Sequence, residues 1–210
     1  MDRIVFCDFD GTITAEETFV SMFYTFNPEL FKKIGNDAAQ GRITLREAVC
    51  MILESLESST LPKIREFVRA KPLRPGFPEF LGFLEERDIP FVIISGGLRA
   101  MIEARLDGFL SRVHAVYAID LDDSGEYLKP HSDYQGGTEM VAKSMIMEGY
   151  NARRPVAIGD GITDYAMALR APVVFARDHL AQHMEKHGRP YIPWNDFFDI
   201  MARLREMWGE

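Results

Sequence analysis

The chain has 210 residues, of which 47% are hydrophobic and 27% charged, and its formal net charge is −8. This length provides one sizeable core plus a smaller module, and the acidic balance argues against a nucleic-acid partner. No apolar segment is long enough to predict a membrane span. The two cysteines, Cys7 and Cys50, belong to no CxxC pair, so we expect reduced thiols in a cytoplasmic protein.

Four short apolar segments predict strands. They are rich in β-branched residues and comprise Ile4–Cys7, Phe91–Ile94, Val156–Ile158 and Val173–Ala176. Their continuous apolar character is typical of strands buried on both faces of a parallel sheet. Helical patterns lie between them, at Pro78–Arg87, Leu98–Leu110 and Thr138–Glu148. The alternation predicts an α/β fold, a Rossmann-like parallel sheet with helices on both faces.

The region from Glu16 to Ala70 interrupts this alternation with helical spacing alone. The patterns cover Phe19–Phe26, Leu45–Leu56 with Thr44 as a predicted N-cap, and Ile64–Val68. A stretch rich in proline, Lys71–Pro78, then marks a boundary. We therefore predict a helical cap of residues 15–75 inserted after the first strand, with residues 1–14 and 76–210 forming the α/β core.

Two further elements are predicted nearer the C-terminus. The run Asp122-Asp123-Ser124-Gly125 is typical of a hairpin turn. Trp194–Trp208 has the pattern of an amphipathic closing helix.

Three of the predicted strands end in polar residues. The polar segments are Asp8-Phe9-Asp10-Gly11-Thr12, Ser95-Gly96-Gly97 and Gly159-Asp160-Gly161-Ile162-Thr163-Asp164. Since open α/β sheets bind ligands at the carboxyl ends of their strands, we expect these segments to meet at one site.

The residue types in these segments suit phosphate chemistry. Asp8 and Asp10, two positions apart, face the same side of an extended chain, and such close carboxylates need a cation or a shared proton. Asp160 and Asp164 add oxygen ligands, which favours Mg²⁺. One carboxylate can act as a nucleophile to form an aspartyl-phosphate while its neighbour moves the proton. The hydroxyl and glycine N–H groups of Ser95-Gly96-Gly97 suit a phosphate.

Together the three segments resemble motifs one, two and four of the haloacid dehalogenase superfamily, and the phosphoserine-phosphatase-like branch in particular, whose cap domain occupies the place of the helical insert. The resemblance implies that Asp8 is the nucleophile and Asp10 the general acid/base. It implies that Asp8, the Asp10 carbonyl and Asp160 hold Mg²⁺, with Asp164 in support.

The resemblance also implies that Ser95 and the N–H groups of Gly96 and Gly97 bind the phosphate. The superfamily has a further lysine at the start of the helix before its fourth motif, where this chain has Gly137. Lys143 lies six positions along the predicted helix, so we expect it to point elsewhere. We favour Lys129, in the preceding loop, as the phosphate-binding cation, and the alternative that neither lysine reaches the site stays open.

A second resemblance concerns the substrate. Arg74–Phe80 and Ile89–Gly97 resemble the methionine-salvage phosphatases, which hydrolyse 2-hydroxy-3-keto-5-methylthiopentenyl-1-phosphate. Glu17 resembles a glutamate that helps phosphoserine phosphatases hold the substrate amine, but Ala48 stands where they have an arginine for the carboxylate. An apolar substrate pocket is predicted from residues of the helical insert, with Phe23 favoured among Phe19, Met22, Phe23 and Phe26, and at least two of these four are expected to pack in the core of the insert instead.

The sequence thus predicts a Mg²⁺-dependent phosphatase acting on a small phosphorylated metabolite, as a monomer or homodimer. The methionine-salvage substrate is favoured. Phosphoserine is the alternative substrate, and a phosphate-binding protein that has lost turnover is the alternative of another class.

Overall fold

The sheet is mostly parallel, with β1 at its centre. The computed structural model describes residues 2–209, and its strands are β1 (Arg3–Cys7), β2 (Phe91–Leu98), β3 (Ala115–Asp122), β4 (Lys129–His131), β5 (Arg154–Gly159), β6 (Val173–Ala176) and β7 (Ile192–Pro193). Their order is β4-β3-β2-β1-β5-β6-β7. Every neighbouring pair is parallel except β3 and β4. Because β1 is covered on both faces, Ile4–Cys7 is almost fully buried, and the predicted α/β class is confirmed.

Helices connect these strands and form an insert between β1 and β2. They are α1 (Phe19–Phe26), α2 (Pro28–Ala39), α3 (Leu45–Leu53), α4 (Leu61–Arg69), α5 (Phe77–Glu85), α6 (Arg99–Arg105), α7 (Lys143–Gly149), α8 (Tyr165–Ala168), α9 (Asp178–Lys186) and α10 (Phe197–Trp208). Helix α3 begins as predicted, since Thr44 and Glu47 form a reciprocal capping box at its N-terminus. Helix α2 was not predicted. No helix within residues 2–209 is long and apolar enough to cross a membrane.

The chain enters and leaves the helical insert (residues 15–75) at one place. Thr14 and Leu73 form an antiparallel bridge. On one side of it the Ala15 N–H donates to the Pro72 carbonyl at 3.0 Å, and on the other the Arg74 N–H donates to the Ile13 carbonyl at 2.8 Å. The predicted boundaries lie beside this crossing, and the division into two domains stays a prediction.

Two predicted elements differ from the structure in ways that affect the site. The helix expected over Thr138–Glu148 begins only at Lys143, because the residues before it contact the helical insert instead. The hairpin turn at Asp122–Gly125 is confirmed, and it joins β3 to β4, which pair antiparallel. Neither of these strands was predicted.

Candidate active site

The predicted polar segments meet at the carboxyl ends of β1, β2 and β5, below the helical insert. They border a cavity of about 180 Å³. The residues that line it come from both the sheet and the insert, namely Asp8, Asp10, Glu17, Phe19, Val20, Leu45, Val49, Gly96, Gly97, Asp160, Gly161 and Thr163. The adjacency of β2, β1 and β5 thus brings together residues that are some 150 positions apart in the chain.

Asp10 is buried and held on both sides. The Ser95 hydroxyl donates to Asp10 Oδ2 at 3.1 Å and accepts from the Gly97 N–H at 2.8 Å. The Thr18 hydroxyl, from the start of the insert, donates to Asp10 Oδ1. A side chain at Gly97 would collide with Asp10 Oδ2. Burial, with the charge of Glu17, raises the pKa of Asp10 to about 7, although the two hydroxyl donors oppose this.

Asp8 forms an ion pair with a buried lysine. Lys143 Nζ lies 2.5 Å from Asp8 Oδ1 and 2.5 Å from Asp164 Oδ1, and the lysine is only 2% exposed. Burial alone would lower the pKa of Lys143, but Asp164 and Asp8 more than offset it, so its pKa is raised and the ammonium is charged. Burial raises the pKa of Asp8, as does the charge of Asp164, and Lys143 acts against both.

The expectation that Lys143 points away from the site is therefore wrong. It rested on a helix that would already be running at residue 138, whereas Lys143 is the first residue of α7. Lys129, the favoured cation, is exposed on β4 opposite Asp122 and does not line the cavity. The sequence pattern was misleading here, because the helical spacing over Thr138–Glu148 begins five residues before the first residue of α7.

Asp160 and Asp164 are fixed by backbone and hydroxyl groups. Asp164 Oδ2 accepts from the N–H groups of Asp160 at 3.1 Å and Gly161 at 2.9 Å. Thr12 Oγ1 donates to Asp160 Oδ1 at 2.5 Å. Gly11 has φ +79°, and a Cβ there would lie 2.5 Å from Asp160 Oδ2, so this position requires glycine. Burial and the charge of Asp164 raise the pKa of Asp160 to about 7.

The acidic residues are arranged as a hard cation would need them. Asp8, Asp160 and Asp164 each offer a carboxylate oxygen, and these oxygens lie within 4.8 Å of one another. The raised pKa values of Asp8 and Asp160 reflect the same crowding of negative charge in a buried place. A divalent cation would relieve it, so the residues fit the predicted Mg²⁺.

Arg74 supports the site from below and was not predicted to do so. It is 6% exposed. Its guanidinium donates to the carbonyls of Thr12 at 2.8 Å and Thr14 at 3.3 Å, and also to that of Gly11. These bonds fix the loop that follows Asp10. The only sequence signal was its place in the Arg74-Pro75-Gly76 run, which does not indicate where the side chain points.

The insert provides the apolar side of the cavity. Glu17, whose role in substrate binding stays a prediction, lines it, and the Val20 N–H donates to the Glu17 carboxylate at 3.1 Å. The prediction for Phe23 is wrong, because this residue is 2% exposed within the insert and stacks on Phe31 at a ring distance of 5.6 Å. Of the four residues considered for this pocket, Phe19 is the one that lines the cavity. Helical spacing alone does not separate the inward-facing residues of a small helical module from those at its edge.

Comparison with known proteins agrees with this geometry. The profile of the haloacid dehalogenase-like hydrolase family matches residues 5–169. This chain belongs to that family. A relative from Microcystis aeruginosa, named 2-hydroxy-3-keto-5-methylthiopentenyl-1-phosphate phosphatase, is 48% identical over 206 residues, covering 97% of this chain and 98% of the relative. A relative of the same name from Geobacillus kaustophilus is 34% identical, covering 97% and 96%.

Solved structures share the fold. A substrate-bound phosphoserine phosphatase complex superposes with a TM-score of 0.75 at 18% identity, covering 97% of this chain and 98% of the other. The predicted family and its phosphoserine-phosphatase-like fold are confirmed. The predicted enzyme class, a phosphoric monoester hydrolase, is confirmed by the family and the curated relatives.

Proposed function

We propose that this family member hydrolyses 2-hydroxy-3-keto-5-methylthiopentenyl-1-phosphate, through an aspartyl-phosphate formed on Asp8, in the cytoplasm. The observation that carries the proposal is the pair of buried carboxylates, Asp8 and Asp10, at the end of β1 with Lys143 Nζ 2.5 Å from Asp8. The names of the relatives support the substrate.

The two carboxylates divide the chemistry. A carboxylate oxygen of Asp8 attacks the phosphorus, the bond from phosphorus to the ester oxygen breaks, and Asp10 gives its proton to that oxygen. Water then attacks the phosphorus of the aspartyl-phosphate, Asp10 takes a proton from it, and phosphate leaves as the Asp8 carboxylate is restored. A pKa of about 7 suits Asp10 to both transfers near neutral pH.

Lys143 and the backbone near Asp10 can compensate the negative charge of the phosphate. The ammonium of Lys143 opposes repulsion between Asp8 and the incoming phosphate dianion. Ser95 holds Asp10 by its hydroxyl, which also accepts from the Gly97 N–H. Gly96 and Gly97 line the cavity and have no side chains, so a phosphate oxygen can approach the backbone there.

Mg²⁺ would be held by Asp8 and Asp160, with Asp164 in support. Both carboxylate oxygens of Asp10 are engaged by Ser95 and Thr18, which favours its backbone carbonyl as the ligand. When bound, the ion supplies positive charge to the phosphate oxygens.

The walls of the cavity favour an apolar tail over an amino acid. Phe19, Val20, Leu45 and Val49 form its insert side. Glu17 is the one charged insert residue among those that line it, and an α-carboxylate would meet no cation there. An unpaired carboxylate in such a place is costly, so this lining favours a methylthio substrate over phosphoserine. The alternative of a protein without turnover was based on the absence of a cation beside Asp8, and the contact of Lys143 with Asp8 counts against it.

A panel of phosphate esters tests the proposal. Purified protein is assayed for phosphate release from the methylthio enol phosphate, phosphoserine and p-nitrophenyl phosphate, with Mg²⁺ and with EDTA. We expect the methylthio enol phosphate to have the highest kcat/KM, and we expect EDTA to abolish its hydrolysis. The Asp8→Asn variant should lose at least about 10³-fold in turnover because it lacks the nucleophile.

Three results would count against it. Turnover that survives EDTA or Asp8→Asn would refute the mechanism. A preference for phosphoserine would refute the substrate. Tight binding of a phosphate analogue with no ester hydrolysed would favour the protein without turnover.

A further inference from the structure

The segment that precedes Lys143 is bound to the helical insert at two places. This β3–α7 connection (residues 123–142) contacts the insert first near β4. There the Ser58 N–H donates to the Glu126 carbonyl at 2.9 Å and the Leu128 N–H donates to the Leu56 carbonyl at 2.9 Å. The insert therefore makes backbone hydrogen bonds to this connection as well as to its own entry point at Thr14.

A second contact lies directly before Lys143 and depends on Arg46. Arg46 is the second residue of α3, where a backbone N–H has no acceptor within the helix. That N–H donates to the Thr138 carbonyl at 2.8 Å, and the Arg46 guanidinium donates to the Gly136 carbonyl at 3.0 Å. One insert residue thus holds two carbonyls of the connection.

The held carbonyls belong to a compact turn. The Gly136 N–H donates to the Glu139 carbonyl at 3.0 Å, and the Ala142 N–H donates to the Tyr134 carbonyl at 2.8 Å. Met140 is buried beside the insert, with its sulfur 3.5 Å from that of Cys50. Lys143 directly follows Ala142 and is the first residue of α7. The position of the compact turn therefore determines where the backbone of Lys143 lies.

We propose that Arg46 is a positioning residue that couples docking of the helical insert to the placement of Lys143 on Asp8. This inference rests on the proposed function. Arg46 does not line the cavity, so it acts through the connection and not on the substrate. When the insert docks, Arg46 fixes the turn at residues 136–142 and the lysine reaches Asp8. When the insert lifts, the turn loses both bonds and the lysine is no longer held.

Substitution of Arg46 tests the coupling. Arg46→Met keeps the length of the side chain but removes its donors, and Arg46→Lys restores one charged donor. Arg42→Met is the matched control, because Arg42 Nε donates to Asp37 Oδ1 at 2.9 Å, within the insert. With p-nitrophenyl phosphate we expect Arg46→Met to lose about tenfold in kcat with KM within about twofold. Arg46→Lys should recover part of the loss, and Arg42→Met should match the wild type.

Two readouts do not need activity. Hydrogen–deuterium exchange should quicken at amides 134–142 in Arg46→Met alone. Acetylation of Lys143, followed by mass spectrometry, should also increase in that variant, since the wild-type lysine is buried. Thermal unfolding midpoints of the two methionine variants should agree within about 3 °C.

Several outcomes would overturn the proposal. One is an Arg46→Met protein with wild-type kcat and protected amides. Another is a rise in KM at constant kcat, which would assign Arg46 to substrate binding. If no ester is hydrolysed by the wild type, the proposed function fails, and unchanged exchange and acetylation in Arg46→Met would then refute the coupling separately.

Discussion

At the scale of single residues, Lys143 is the one cation that contacts Asp8 in the part of the chain that the structure describes. Replacement by methionine keeps the volume but leaves the carboxylates of Asp8 and Asp164 without their partner. We expect Lys143→Met to lose about 10²-fold or more in kcat on p-nitrophenyl phosphate.

The matched control for this prediction is Lys129→Met. Lys129 is exposed on β4, so this variant should retain wild-type turnover. A loss in Lys129→Met together with wild-type turnover in Lys143→Met would support the sequence-based preference for Lys129 and contradict the assignment of Lys143.

The raised pKa of Asp10 makes stability depend on pH. Its pKa is about 7 in the folded chain against an ordinary 3.8. Between these values the folded state keeps a proton that the unfolded chain has released, so the contribution of Asp10 to the free energy of unfolding falls as pH rises from about 4 to 7. The Asp10→Asn variant has no carboxyl group at this position, so its stability lacks this dependence on pH.

Urea unfolding in EDTA at pH 4.5, 6 and 7.5 measures the effect. The stability of wild type minus that of Asp10→Asn should decrease along this series and level off above about pH 7. A difference that is constant, or that increases with pH, would show that Asp10 is ionised in the folded protein throughout.

At the scale of elements, Arg74 joins the loop after β1 to the segment before α10. Besides its bonds to the loop, its Nη1 donates to the Asn195 carbonyl at 3.2 Å. Arg74→Met would leave several buried carbonyls without a donor, and we expect a loss of about 2–4 kcal/mol in the free energy of unfolding.

Arg74→Lys should recover little of this loss, because an ammonium cannot reproduce the planar fork of donors. Arg69→Met, at the exposed end of α4, should be within about 0.5 kcal/mol of wild type. Denaturant unfolding of the three variants checks this, and full rescue by lysine would mean that only the charge of Arg74 matters.

At the scale of the whole molecule, the sequence predicted the strands that a continuous apolar run indicates. Strands β1, β2, β5 and β6 are buried on both faces, and their polar ends correctly located Asp8, Asp10, Ser95 and Asp160 at one edge. Strand β3 was missed because it lies beside the short edge strand β4, and its residues are mostly half-buried, without a continuous apolar run.

The failures share a physical cause. The placement of Lys143 depends on bonds between Arg46 and residues 136–138, which are some 90 positions apart. The burial of Phe23 depends on Phe31 in α2, a helix that was not predicted. In both cases tertiary contacts determine where the side chain lies, and the local periodicity of the sequence does not reveal such contacts.

The bridge between Thr14 and Leu73 has an evolutionary consequence. Because the entry and exit of the insert lie side by side, the length and sequence of what lies between them can change without shifting the register of any strand. Asp8 and Asp10, the carboxylates proposed to be catalytic, directly follow β1, while the apolar lining comes from the insert. Selection can therefore vary the cavity-facing side chains and the length of the insert, provided that the contacts of Thr18 with Asp10 and of Arg46 with the β3–α7 connection are kept, and descendants would then inherit the same reaction with a new range of substrates.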